Sequence, residues 1–258
     1  MSRSGLISTL VVMAILVMAI SLVPPARAQD AAHPPVGGVI SPADAMIFYL
    51  AYGRDGACGP NCSEWIAAEG VVEWDTFKRL FAFAARLGER KAPVILNVWG
   101  ESNLNVAMSL GKIIRDRGFD VSAGKTVIAG CADATEAACM ALKRSGKSLD
   151  AAIDISTVEC DIVCVLILVG GVHRTLPANA KVVIGPTHIR DRLAPNVSEE
   201  RQKGLQAFYG DQYRHYLKQM GVATDVVGII EQNAASGRAT QISRADWLQL
   251  GIVTAPAP

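Results

Sequence analysis

The chain has 258 residues, half of them apolar, and a formal charge of only +1 at pH 7. It shows neither a basic face nor an aromatic series that could stack bases, so nucleic-acid binding has nothing to rest on. Six cysteines, an even count, read as disulfides in an exported chain.

Residues 1–28 read as a secretory signal. Arg3 supplies the positive flank, an apolar run covers 6–23, Pro24 and Pro25 break it, and Ala26 and Ala28 form an A-x-A end. A retained N-terminal membrane anchor is the rival reading, because a run of this length can just span a bilayer. The expected localisation is exported and periplasmic, or anchored to the inner membrane facing the periplasm. Membrane contact is expected only if the segment is retained. Residues 29–42, rich in Pro and Gly, form a flexible leader. Residues 43–258 are long enough for a single domain with a sizeable core.

Taken in order, 45–51 is a first strand and 55–65 a turn-rich loop in which a local Cys58–Cys62 bridge is sterically allowed. Residues 65–72 lead to a strand or short helix. From Trp74 a helix places Phe77, Leu80, Phe81, Ala84 and Leu87 on one face, with Asp75 or Thr76 as cap. A core strand at 93–98, a polar turn at 99–103 and a helix stopped by Gly118 make a βα unit. A further strand is expected over 119–127, then a loop into an alanine-rich helix at 130–146. Residues 149–156 have no clear signal.

Within the stretch 159–188, ECDIVCVLILVGGVHRTLPANAKVVIGPTH, the run 165–169 is too short to span a bilayer and too apolar to face water, so it lies inside a core. The stretch reads as two core strands, or as a turn, a short buried helix and a strand. A polar stretch follows His188. Helices are expected at 205–220, with Tyr209, Tyr213, Tyr216 and Met220 near one face, and at 224–232; Ser243 caps a short last helix. Pairing among Cys58, Cys62, Cys131, Cys139, Cys160 and Cys164 stays open. Their spacing matches no tight zinc finger or ribbon, so no metal is expected.

In order and spacing these motifs resemble the ClpP/crotonase-like superfamily, and more closely a group of exported ClpP-like bacterial proteins. The matching segments are CGPNCSEWIAAEG, the strand–turn–helix at 94–117, the C-x-x-x-C before an apolar run and GG, the helix at 204–221 and the closing SRADWLQLGIVT. The resemblance implies an α/β spiral fold of repeated β-β-α units, with buried central strands and flanking helices. It also implies a cleft for an extended peptide or protein partner and homo-oligomer formation.

Active relatives carry a serine in C-x-S-x-C, a histidine in G-V-H after the next strand, and an S-P-G-G oxyanion turn. Here those positions hold Ile162, Gly185 and the Val98–Glu101 turn, in which Gly100 and Glu101 stand where a glycine pair is expected. Peptide hydrolysis needs an activated hydroxyl, a base in reach and donors aimed at the oxyanion. Ile162 has no lone pair to offer, and Glu101 would repel an oxyanion unless neutral or paired. His188 is a candidate base. Cys160 or Cys164 with His188 is a conceivable thiol–imidazole pair, which oxidation would disarm. Asp161 with Glu101 is a conceivable acid/base pair. His173 and His215 read as surface or packing residues, and Asn97 and Asn103 as braces of the turn around Gly100. No G-x-x-x-x-G-K-[ST] loop supports ATP use, and no cofactor is expected. The expectation is a non-catalytic exported ClpP-like protein, a pseudoprotease that binds peptide or acts in assembly. The alternatives are a serine-peptidase-like hydrolase using non-standard residues and a structural envelope-associated protein.

Overall fold

The computed structural model describes residue 42 and residues 44–186 and 198–255. The expected signal at 1–28, the leader up to residue 41 and the candidate base His188 lie outside the described residues.

Strands β1 (Ile47–Tyr52) and β2 (Glu64–Gly70) run antiparallel, joined by the loop that carries a Cys58–Cys62 disulfide. Helix α1 (Thr76–Leu87) follows, then β3 (Val94–Val98) and α2 (Leu104–Arg117), whose end is set by left-handed Gly118. Next come β4 (Val121–Ala123), β5 (Lys125–Ile128), a 3-10 turn (Ala129–Cys131), α3 (Glu136–Lys143) and β6 (Leu149–Asp154). Strand β7 (Glu159–Cys160), α4 (Ile162–Leu168), β8 (Lys181–Ile184), α5 (Glu199–Gln219), α6 (Asp225–Ser236), β9 (Thr240–Ile242) and α7 (Arg244–Gln249) complete the chain. The architecture is mixed α/β, and the β-β-α order recurs as β1–β2–α1, β4–β5–α3 and β6–β7–α4.

The main sheet has the order β4-β3-β2-β1-β6-β5. Its two outermost strands, β4 and β5, are consecutive in sequence with only Gly124 between them. A single residue can join opposite edges only if the sheet curls until those edges meet. Gly124 lies where they do: its N–H donates to the Leu96 carbonyl at 2.9 Å, and a Cβ there would press on Ile153. The strand expected over 119–127 is therefore two strands.

The curl separates two cores. Tyr49, Ala51, Trp65, Ala67, Ile95, Ile128 and Ala151 fill its inside, where the Trp65 indole N–H donates to the Thr126 hydroxyl at 3.0 Å. Met46, Ile66, Ala68, Val94 and Leu96 alternate onto the outside, under the helices. Strands apolar on both faces read as continuous apolar runs, which is why 65–72 and 93–98 show no clean alternation.

The α1 face differs from expectation. Thr76, Leu80, Phe83 and Ala84 are buried, whereas Phe81 is 60% exposed. Two overlapping apolar stripes run along this helix, and contact with β1, including Phe48 against Phe83, selects one. Asp75 occupies the cap position without a cap bond and pairs with Arg79 instead. The unclear 149–156 segment contains β6, and α5 begins at 199, so part of the polar stretch after His188 is its first turns. Tyr213, Tyr216 and Met220 of the expected stripe are buried, as core.

Candidate functional site

The expected site centres on the start of α4. Cys160 ends β7 in register with Val182 of β8. Asp161 is extended, and its Oδ1 accepts from the Cys164 backbone N–H at 2.9 Å, capping the helix. A carboxylate here satisfies an orphan amide and complements the positive end of the helix dipole. Burial pushes the Asp161 carboxyl above the usual carboxylate range, against the opposing pull of hydrogen bonds from the Cys164 and Val163 amides. The Cys160–Cys164 disulfide closes across the same turn, with Cα atoms 5.1 Å apart. Ile162, 6% exposed, lies between them within the main core.

All seven residues of α4 are buried, so its last-turn carbonyls cannot turn to water. Protein groups take them. The Tyr216 hydroxyl donates to the Leu166 carbonyl at 2.6 Å. Arg115 donates to the carbonyls of Gly170 and Val169, both at 2.9 Å. Arg174 donates to Val169 at 2.9 Å and to Met220, the C-cap of α5, at 2.8 Å. Burial, then the nearby Arg115 charge, lowers the Arg174 pKa to about 10, with Tyr216 opposing. Helix α2 approaches so closely that a Cβ on Gly111 would run into the Tyr216 hydroxyl and the Leu166 carbonyl. One on Gly170 would strike the backbone of Gly111. Sequence reasoning missed Arg115 and Arg174, since arginines in R-D-R and H-R-T segments carry no mark of burial.

The turn after β3 is built around Gly100. Its φ of 71° lies in the left-handed region, and a Cβ would meet the Val71 side chain at 2.9 Å, so only glycine fits. Glu101 is exposed. The hydroxyl of Ser102 accepts from the Val72 N–H at 2.9 Å and donates to the Trp99 carbonyl at 3.3 Å, which makes it a brace of the turn. Asn103, expected to brace this turn through its side chain, instead caps α2 by accepting from the Asn105 and Val106 amides.

Gly185 follows β8, and among the described residues nothing lies within 4 Å of where a Cβ would stand. Asp161, Ile162 and the two cysteines thus share one helix end, with Gly185 three residues beyond the β7 register partner Val182. His173 is exposed, and both its backbone N–H and Nδ1 lie within reach of Asp120 Oδ1, at 3.1 and 2.8 Å. His215 is exposed, 3.0 Å from the Gln219 amide. All six cysteines are paired with their sequence neighbours, the third pair being Cys131–Cys139. Among the described residues no group of three or more His, Cys, Asp or Glu is placed to hold a metal ion. No helix among them is long and apolar enough to cross a membrane.

No protein-family model matches the sequence, and no curated protein sequence does. Similar solved structures include a mutant ClpP1 from Listeria monocytogenes, 10% identical with a TM-score of 0.40 over 70% of this chain and 80% of that one. A mutant of the membrane-bound stomatin-specific protease 1510-N is 11% identical, with a TM-score of 0.39 over 69% of this chain and 70% of that one. A further mutant of that protease, in complex with a substrate peptide, is 11% identical with a TM-score of 0.37, covering 69% and 66%. At such scores these likenesses are too loose to carry an argument.

Proposed function

We propose that the chain is an exported ClpP/crotonase-like protein that has lost peptidase chemistry and acts by binding peptide or protein, or in assembly. The observation that carries this reading is Ile162. It stands where the resemblance places a nucleophilic serine, and it is a buried hydrocarbon side chain at the first position of α4. Neither flanking sulfur is a thiolate, because both belong to one disulfide. Gly185, without a side chain, occupies the matching base position. Three disulfides fit an oxidising compartment and support export. The recurring β-β-α units and the curled sheet support the superfamily reading, which also brings the expectation of homo-oligomers.

The test is incubation of the oxidised protein with a broad peptide library and a serine-directed activity probe, beside an Ile162→Ser, Gly185→His variant. Neither cleavage nor labelling is expected from the parent. Either one would overturn the reading in favour of a hydrolase working through other residues. Activity confined to the variant would mark an old site restored.

A further inference from the structure

A cleft of about 560 Å³ lies between α3 and the main sheet, lined by Asp44, Ile47, Glu69, Trp99, Met140 and Lys143 among others. Ile47 and Glu69 are direct cross-strand partners. They share a sheet face with Tyr49 and Ala67, which fill the inside of the curl, so the cleft is on the side away from the face that α4 covers.

Its wall is weakly founded. Helix α3 has eight residues and buries none of them, so the apolar burial that normally fixes a short helix is largely missing. Two latches take its place. Cys139 is bridged to Cys131 in the preceding 3-10 turn. Lys143, in the last turn, is ion-paired with Glu69 of β2, and its ammonium lies 5.8 Å over the Tyr49 ring. The Glu69 side chain is only 6% exposed, so α3 supplies the counter-charge for a carboxylate held in the sheet. The Tyr49 hydroxyl is buried beside it, and burial, then the Glu69 charge, raises its pKa far above the usual phenol range.

We propose that α3 is a lid over this cleft, held shut by the Cys131–Cys139 disulfide and released when a dithiol reductant breaks that bond. Both cysteines are half-buried and within reach, whereas Cys160 and Cys164 are sealed in the core. A thiolate of the reductant attacks one sulfur to form a mixed disulfide, and its second thiol then displaces the protein sulfur. Cys131 and Cys139 end as thiols and the reductant as a disulfide, so two electrons and two protons have passed to the protein. The Cys58–Cys62 bridge is also half-buried, but it closes the loop between β1 and β2 and carries no helix. Once the disulfide is cut, the Lys143–Glu69 pair is the remaining ion-pair latch on α3 among the described residues. Opening hydrates both partners together, so neither is left as a buried unpaired charge. Met140 and Ala134 withdraw from the wall, and the cleft widens toward the exposed Trp99. This inference does not rest on the loss of peptidase chemistry.

Amide hydrogen exchange followed by mass spectrometry tests it. In a Cys131→Ser, Cys139→Ser variant, exchange across 132–147 should quicken by roughly tenfold to a hundredfold, while β1, β2 and α4 stay as protected as in the oxidised parent. Lys143→Met with the disulfide intact should give a smaller rise in the same segment. Unchanged protection across 132–147 in the double-serine variant would overturn the lid. Loss of protection spread through β1 to β4 and α4 would overturn it as well, because the bridge would then hold the whole fold. Dithiothreitol added to the parent protein should reproduce the local rise without any substitution, and quickening at α4 ahead of α3 would count against the proposal.

Discussion

Helices α3 and α4 are both short and both begin beside a disulfide, yet opposite physics holds them. Every residue of α4 is buried and none of α3 is. Each buried aliphatic side chain of α4 contributes roughly 1.5–3 kcal/mol, and its ends are closed by Asp161 on one side and by Tyr216, Arg115 and Arg174 on the other. Among the described residues, helix α3 is tied by one cross-link and one ion pair. The same covalent device is therefore close to redundant for the position of α4 and decisive for that of α3. The candidate site of the resemblance sits on the rigid element, and the movable one lines a different cleft.

The sharpest way to break this contrast is at the α2–α4 contact. Gly111→Ala should destabilise the protein by about 2–3 kcal/mol through overpacking. Helix propensity alone would predict a gain of about 1 kcal/mol, so the sign of the shift in urea midpoint decides between packing and propensity. Arg174→Met should cost about 2 kcal/mol, because the Val169 and Met220 carbonyls lose a charged donor in the core, and the loss should appear with an unchanged urea slope.

For α3 the expected global effect is smaller. In the Cys131→Ser, Cys139→Ser background, Lys143→Met should lower overall stability by only about 1 kcal/mol, since the released α3 can swing out and let water reach Glu69. Adding Glu69→Gln should recover most of that in a double-mutant cycle. A loss of about 3–5 kcal/mol, typical of a broken buried pair, would mean that α3 is as fixed as α4.

The smallest effect concerns the cap of α4. The Asp161 carboxyl binds its proton more tightly folded than unfolded. Its contribution to stability therefore improves as pH falls from above its folded pKa to below its unfolded one. Asp161→Asn keeps a capping oxygen but not the titration. Relative to that variant the native protein should gain stability, by a few tenths of a kcal/mol or more, as pH falls from 7 toward 4. Urea midpoints across that range read the difference, and a relative loss would show the carboxylate to be stabilised by the helix end more than it is penalised by burial.

The sequence by itself determined the elements whose signals are local. The βα unit at 93–118 follows from an apolar run, a glycine turn and a glycine stop, and Ser243 caps the last helix as its spacing indicates. The burial of 165–169 was forced by composition alone, since nothing so apolar can face water. Whether that stretch was helix or strand was not legible, because a short run buried all round has no periodic face. Tertiary structure decided it: the Asp161 cap and the arginine-bound carbonyls make it a helix. Tertiary structure also chose between the two stripes of α1, burying Phe83 and leaving Phe81 in water. It split 119–127 at Gly124, because the two halves pair with strands at opposite edges of a curled sheet. The Lys143–Glu69 pair and the Arg115–Arg174 cluster join residues many tens of positions apart, a distance over which no spacing rule reaches. Ile162 could be read as an absent nucleophile from the sequence. That it is walled into the core beside a closed disulfide was for the fold to settle.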